Sequence, residues 1–245
     1  MKKKIVFIMN PISGTSSKAA VPSLIDSTLD KEQFEYEIKM TERPGHASEL
    51  AAEARDNHAD IVVAVGGDGT VNEVARSLVH SDSALGILPC GSGNGLARHL
   101  LLPMNLKKSI EIINACEIHD LDYGVINEYP FFCTCGMGFD AFVSMKFAES
   151  GKRGPISYAE NILREGLKYE PETYTLEDET GTKQYKAFLI SCANASQYGN
   201  NAYIAPQASM SDGLMDVVIM EPFDVIEASQ VSFDMFNNTL DKISK

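Results

Sequence analysis

Along the first half of the chain, short apolar runs alternate with amphipathic stretches of about ten residues, the spacing of strands joined by helices. KKIVFIMNP is an apolar run closed by Asn10-Pro11, and AVPSLIDSTL carries its apolar residues at helical spacing. FEYEIKMTE alternates, with Phe34, Tyr36, Ile38 and Met40 apolar, as a half-buried strand does. HASELAAEARDNHA is alanine-rich and favours helix, DIVVAVGG reads as a strand buried on both faces, and TVNEVARSLVHS as a helix. ALGILPCGSGN is a second buried strand ending in glycines, and LKKSIEIINAC is amphipathic again. The alternation predicts βαβ units, hence a mostly parallel sheet with helices on its faces.

Near Asp120 the pattern changes. HDLDYGVINEYPFFCTCGMGFD reads as strands joined by a short turn, followed by helical segments over Phe142–Glu149 and Ser157–Leu167. YTLEDETGTKQYKAFLISCANA has the alternation and the Glu-Thr-Gly turn of a β-hairpin. GLMDVVIME is a further strand, and VIEASQVSFDMFNNTL a terminal helix. The predicted division is an α/β domain over residues 1–120 and a β-rich domain over 121–245, with no internal repeat and no flexible linker.

Composition narrows the function. At 44% hydrophobic and 22% charged, the 245 residues are those of a globular protein. A net charge of −13 argues against nucleic acid as a partner, since a binder needs a basic stripe. The opening MKKKIVFIM is too short an apolar run for a signal peptide, and no segment approaches the roughly 18 apolar residues of a bilayer span. The five cysteines are odd in number and lack metal spacing, so they are expected to be reduced core thiols of a cytoplasmic protein.

Three glycine-rich turns end predicted strands: NPISG, GGDGT and PCGSGN. On a parallel sheet, ligands sit at the carboxyl ends of the strands, where all three fall. Glycines let backbone N–H groups approach phosphate oxygens, and a helix starting just beyond adds its positive end. Asp68, placed exposed among the glycines of GGDG, needs a further reason. An acid among phosphates makes sense if a divalent cation lies between them, or if it takes a proton from an attacking hydroxyl. The plain alternative is a tight turn in which Asp68 only caps the following helix. GxGxxG and the Gly-Lys-Ser/Thr of a P-loop are both absent, which disfavours a Rossmann dinucleotide site and a Walker ATPase.

NPISG, GGDGTVNEV and LPCGSGNGLAR, in this order and spacing, resemble the catalytic domain of the diacylglycerol kinase family. The bacterial soluble lipid kinases are the nearer relatives, and sphingosine and ceramide kinases are more distant. IHDLDYGVIN, FFCTCGMGFDA and SMSDGLMDVVIMEPF are similar to segments of the family's second domain. The resemblance implies an α/β nucleotide-binding domain followed by a β-sandwich-like second domain, and an ATP-dependent kinase. It implies that the nucleotide contacts Asn10, Pro11, Ile12, Ser13, Gly14, Thr41, Gly66, Gly67, Asp68, Gly69, Thr70, Val71, Asn72 and Ser92. Ser92 stands where the family usually has threonine, and keeps the hydroxyl. Asp68 and Asp122 are implied as catalytic acids that organise magnesium. A structural magnesium is implied at the Ser209 carbonyl, the Asp212 carboxylate and the Leu214 carbonyl, oxygen ligands that suit the ion. A bare Asp-Gly turn is the plain alternative for Asp212.

The chain departs from the family in one respect. Bacterial members carry a general-base aspartate in an Asp-Gly-Glu sequence, which occurs nowhere here. The expectation is a fragment with an incomplete second domain, in which Asp68 is the remaining candidate base. The implied reaction is phosphorylation of a diacylglycerol-like or sphingoid-like lipid hydroxyl by ATP, at transient contacts with a membrane surface. An unpaired sheet edge would invite a homodimer. Two other readings stand beside it: an NAD kinase, whose family shares GGDGT, and a nucleotide-binding protein without catalysis.

Overall fold

The computed structural model describes residues 2–12, 14, 18–142, 166 and 169–242. By its contacts the chain divides into two units, residues 1–121 with 130–132, and residues 122–129 with 133–245.

The first unit is built on a four-stranded sheet in the order β2-β1-β3-β4, with all three pairings parallel. Its strands are β1 (Lys3–Met9), β2 (Phe34–Met40), β3 (Ile61–Gly66) and β4 (Ala84–Pro89). Between them run α1 (Val21–Thr28), α2 (His46–Asp56) and α3 (Asp68–Leu78), and α4 (Gly95–His99) and α5 (Leu106–Ala115) follow β4. Alternate side chains explain the two-sided cover. Ile5, Phe7 and Met9 of β1, with Ile61, Val63 and Val65 of β3, form one core with Val21 and Ile25 of α1 and Ile110 and Ile113 of α5. The opposite parity, Val6, Ile8, Val62 and Ala64, is equally buried, and α2 and α3 pack on β1 and β3. Every residue of β3 is buried, as its unbroken apolar run predicts.

The strand order places the site. The chain steps from β1 to β2 on one side, then returns to lay β3 on the other. The crossovers after β1 and β3 therefore leave in opposite directions, opening a crevice beyond the carboxyl ends of these two strands, the usual ligand position in such sheets. NPISG leaves β1 there and GGDG leaves β3.

The second unit contains an antiparallel sheet in the order β11-β10-β7, formed by β7 (Thr134–Gly138), β10 (Leu189–Ala193) and β11 (Asp216–Met220). A hairpin joins β8 (Glu172–Asp178) to β9 (Gly181–Ala187). Its two-residue loop, Glu179-Thr180, is held by the Asp178 carboxylate, which accepts from the Thr180 N–H (2.7 Å) and hydroxyl (2.6 Å). Phe139, Phe188, Leu189 and Ile204 lie at the core of this unit, with the Phe188 ring 4.5 Å from those of Phe139 and Phe223. Two short strands, β5 (Gly124–Ile126) and β6 (Tyr129–Phe131), occupy the segment where the chain passes between units, and α6 (Val225–Asn237) follows β11. Most of the helical segments expected over 142–149 and 157–167 lies outside the described residues. None of the cysteines is in a disulfide; all five are half-buried, and Cys90 and Cys116 pack against the core of the first unit.

Candidate active site

Asn10 organises the end of β1. Its backbone N–H donates to the Val65 carbonyl (3.1 Å), its carboxamide oxygen accepts from the Ile12 N–H (3.1 Å), and its Nδ2 donates to Thr70 Oγ1 (3.3 Å). One side chain thus ties the first glycine turn to the start of α3, 60 residues later. Ile12 is exposed, and Ser13 lies outside the described residues. Gly14 has φ +72°, and a Cβ there would strike the Cys90 carbonyl of the third turn. Glycine is required at this position on both counts. Thr41 reaches the same edge from β2, donating its N–H to the Met9 carbonyl (2.9 Å).

The second turn is packed as tightly. A Cβ on Gly66 would overlap the Thr70 side chain, and one on Gly91 would overlap the Cα of Gly67. The backbone crossing of Gly67 and Gly91 brings GGDG and PCGSGN into direct contact. Gly69, by contrast, is exposed, with nothing within 4 Å of its missing Cβ. Helix α3 begins at Asp68 itself, two residues before the predicted start, with Gly67 as an N-cap that supplies no side-chain bond. Thr70 and Val71 are buried in its first turn, and Asn72 is half-buried.

Asp68 is not the exposed carboxylate expected from its glycine neighbours. It is half-buried, and its Oδ1 accepts the backbone N–H of Gly95 at 2.6 Å. The capping alternative thus holds in an altered form: Asp68 serves α4, not α3. Burial pushes the carboxyl above its ordinary range, and N–H donors of Gly95, Asn94 and Leu96 pull it partly back. Asn94, at φ +53°, spans the third turn, accepting from the Gly91 N–H (2.8 Å) and donating to the Gly91 carbonyl (2.9 Å). Ser92, beside it, is exposed.

In the second unit, the Asp122 N–H donates to the Met210 carbonyl (2.7 Å), and its Oδ2 accepts from the Gly213 N–H (2.8 Å). The Asp122 carbonyl accepts from Asn194 Nδ2 (2.9 Å). Asp122 is therefore joined to the Ser209–Leu214 turn, a link that sequence separation hides. Within that turn Asp212 Oδ1 accepts from the Leu214 N–H (3.0 Å), and Gly213 has φ +74°. The donor set suits a hard cation: the Asp212 carboxylate together with the carbonyls of Ser209 and Leu214. No group of three or more His, Cys, Asp or Glu side chains is placed to hold a metal among the described residues. Any magnesium here would therefore rely on carbonyls and water as well as carboxylate.

The structure brings Asn10, Gly14, Thr41, Gly66, Gly67, Asp68, Thr70 and Ser92 to one sheet edge of the first unit. Asp122, Ser209, Asp212 and Leu214 gather on one loop system of the second. Sequence reasoning missed Glu73, whose carboxylate accepts the Gly45 and Ala47 N–H groups (both 3.2 Å) and so caps α2. It also missed α4, whose five residues are too short for periodicity to show. An Asn inside a glycine cluster was the available signal for the left-handed turn at Asn94. Asp140 of the second unit was missed too: its half-buried carboxyl lies where a Cβ on Gly136 would go, and burial pushes it up while the Tyr198 hydroxyl pulls it down.

Comparison with known proteins agrees with this geometry. Residues 4–126 match the family profile described as the diacylglycerol kinase catalytic domain. Residues 133–236 match the profile of the YegS C-terminal NAD kinase beta sandwich-like domain. The chain is 28% identical over 207 residues to the "Probable lipid kinase YegS" of Escherichia fergusonii, covering 82% of this chain and 69% of that protein. It is 27% identical over 242 residues to the diacylglycerol kinase of Staphylococcus saprophyticus, covering 94% and 77%. Its fold is similar to that of a diacylglycerol kinase from Bacillus anthracis str. Sterne, with a TM-score of 0.73 at 21% identity, over 98% of this chain and 80% of that one. The chain therefore belongs to the diacylglycerol kinase catalytic-domain family, with an N-terminal α/β domain and a β-sandwich-like YegS-type domain.

Proposed function

We propose that this protein is an ATP-dependent lipid kinase, transferring the γ-phosphoryl group to the hydroxyl of a diacylglycerol-like or sphingoid-like lipid. The observation that carries the reading is the packing of three glycine turns at the switch point of the sheet, with Asp68 among them. Backbone N–H groups of these turns and the start of α3 would receive phosphate oxygens. Asn10 fixes the first turn against Thr70, so that the donors are set before the nucleotide arrives.

In the reaction, the lipid oxygen forms a bond to the γ-phosphorus while the bond to the β–γ bridging oxygen breaks, and ADP leaves. The hydroxyl proton goes to an aspartate, for which Asp68 is our candidate. A carboxyl held above its ordinary range by burial is a better proton acceptor than a solvated one. Its bond to Gly95 N–H holds the side chain in one orientation. Asp68 in the first unit and Asp122 in the second are the acids that would each help organise catalytic magnesium, and Ser209, Asp212 and Leu214 would hold a structural one. Bound magnesium supplies neutralisation of the phosphate charge. No helix among the described residues is long and apolar enough to cross a membrane. We place the lipid encounter at a membrane surface, by transient contact from the cytoplasm, with homodimerisation as a further proposal.

The test is direct. Purified chain, magnesium, γ-labelled ATP and a mixed lipid extract should give a labelled chloroform-soluble product. Label found only in NADP, or no transfer to any lipid, would overturn the reading.

A further inference from the structure

Two cysteines stand side by side on the antiparallel sheet of the second unit. In the register of β7 with β10, Cys135 and Cys192 are directly opposite, 57 positions apart in the chain (192 − 135). Directly opposed side chains leave the same face of a sheet, and both thiols are half-buried. Cys192 is the one residue of β10 that is not buried. On the same face Met137, two residues along from Cys135, is 39% exposed, and Val217, opposite Cys192 on β11, is 52% exposed. A small reagent therefore reaches the row. The two thiols also interact: burial first, then the charge of Cys192 and a hydrogen bond with it, push Cys135 up to about 11.

The ladder sets their separation. At its two ends the Phe139 N–H donates to the Phe188 carbonyl and the Asn194 N–H to the Cys133 carbonyl (both 2.9 Å). Hydrogen-bonded pairs alternate along an antiparallel ladder, so Cys135 and Cys192, two residues from Cys133 and Asn194, form one as well. Such a pair has its Cα atoms about 5.5 Å apart, inside the span of roughly 4.4–6.8 Å that a disulfide bridges. Its Cβ atoms stand about 5.5 Å apart against roughly 3.8 Å in a disulfide, so closing the bond draws the strands together. A bond made under that demand is readily reduced, which suits a switch better than a structural staple.

We propose that Cys135 and Cys192 are a thiol–disulfide switch that exchanges with small-molecule disulfides and acts on the loops holding Asp122. One cysteine, as thiolate, attacks a sulfur of the reagent and expels the first small thiolate. The other attacks the mixed disulfide, closes the Cys135–Cys192 bond and expels the second. The protein sulfurs lose two electrons in all, the reagent gains them, and the two protons pass through solvent to the departing thiolates. Because Cys135 holds its proton tightly, the exchange is slow at neutral pH and quickens as pH rises. The output lies two residues along each strand. The Cys133 carbonyl accepts from the Asn194 and Ala195 N–H groups (2.9 and 3.0 Å), and Asn194 Nδ2 donates to the Asp122 carbonyl (2.9 Å). Asp122 Oδ2 in turn accepts from the Gly213 N–H (2.8 Å). Drawing β7 towards β10 disturbs this chain of bonds and shifts the acid that the kinase reading assigns to magnesium. The effect on catalysis rests on that reading; the bond itself does not.

The experiment treats the full chain with oxidised glutathione at mildly alkaline pH and maps disulfides by mass spectrometry of unreduced digests. A Cys135–Cys192 cross-link should form in wild type and in Cys133→Ser, and dithiothreitol should remove it. It should be absent from Cys135→Ala and Cys192→Ala, whose melting temperatures report whether they fold; the wild-type map needs no variant. Hydrogen exchange at the Asp122 and Gly213 amides should quicken several-fold on oxidation. Lipid phosphorylation should fall several-fold and return with dithiothreitol, whereas Cys192→Ala should not respond to the oxidant. Glutathione adducts without a cross-link, or a bond that uses Cys133, would overturn the pair. A cross-link with unchanged exchange at both amides would overturn its action on Asp122. A reduced chain that phosphorylates no lipid, yet forms the cross-link and quickens exchange, would sustain the switch and sink the kinase reading.

Discussion

The Asp68 carboxylate and the Gly95 backbone N–H lie 2.6 Å apart, so the acid of the second glycine turn also caps the helix that follows the third. In the proposed mechanism one residue would carry two separable duties. Asp68→Asn keeps an oxygen that can accept from Gly95 and removes the charge. Because the folded carboxyl lies above its ordinary value of 3.8, the stability owed to its neutral form is present below that pH and is lost as pH rises through the folded value. At pH 7 the asparagine variant should therefore melt at or above the wild-type temperature, while phosphoryl transfer falls by about a hundredfold or more. Asp68→Ala should lose transfer and also about 1 kcal/mol of stability, or roughly 2–4 °C of Tm. Transfer within a few-fold of wild type in the asparagine variant would refute the catalytic role.

Glycine substitutions should divide by what their Cβ meets. Gly91→Ala drives a methyl into the Cα of Gly67, and Gly14→Ala adds a strained φ to a clash with the Cys90 carbonyl. Each should cost about 2 kcal/mol or more in chemical denaturation. Gly69→Ala meets nothing within 4 Å. It should leave the denaturation midpoint near wild type while weakening ATP binding, because the methyl would occupy space that the proposed phosphate site needs. Normal ATP affinity in Gly69→Ala would argue that the nucleotide does not approach α3 closely.

Glu73 should act through position. Its two oxygens cap α2 at Gly45 and Ala47, at the start of the helix that follows the Thr41 loop. Glu73→Ala should lower Tm by a few degrees, corresponding to about 1–2 kcal/mol. Glu73→Gln, which keeps one acceptor, should restore about half of this. Equal melting of wild type and the alanine variant would show that the cap contributes nothing.

The Ser209–Leu214 turn makes a prediction about metal. Millimolar magnesium should raise the wild-type melting temperature, chelator should reverse the shift, and Asp212→Asn should abolish the response. A full magnesium response in the asparagine variant would remove Asp212 from the ligand set.

Cys135 is directly opposite Cys192 on β7 and β10. Burial and the neighbouring thiol push it up to about 11. Its folded value lies above the ordinary 9, so the neutral thiol's contribution to stability is intact below pH 9 and is lost between about 9 and 11. Mass-spectrometric mapping of iodoacetamide labelling should show Cys135 slow at pH 8, with a rate that climbs toward pH 11. Fast labelling at pH 8 would contradict the burial seen here.

Much of the molecule was legible in the chain itself. The parity of Ile5, Phe7 and Met9 against Val6 and Ile8, and the unbroken run from Ile61 to Val65, specify strands because side-chain period is a local property. The glycine turns were legible for a similar reason, since a backbone that must bend sharply needs residues without Cβ. Their order carried the family. What no local pattern holds is which distant groups meet. The order β2-β1-β3-β4 carries Gly67 against Gly91 and Asp68 to Gly95. The reason for an aspartate among glycines had its chemistry in the sequence. Its partner came only from the sheet, which sets turns separated by tens of residues within hydrogen-bonding distance.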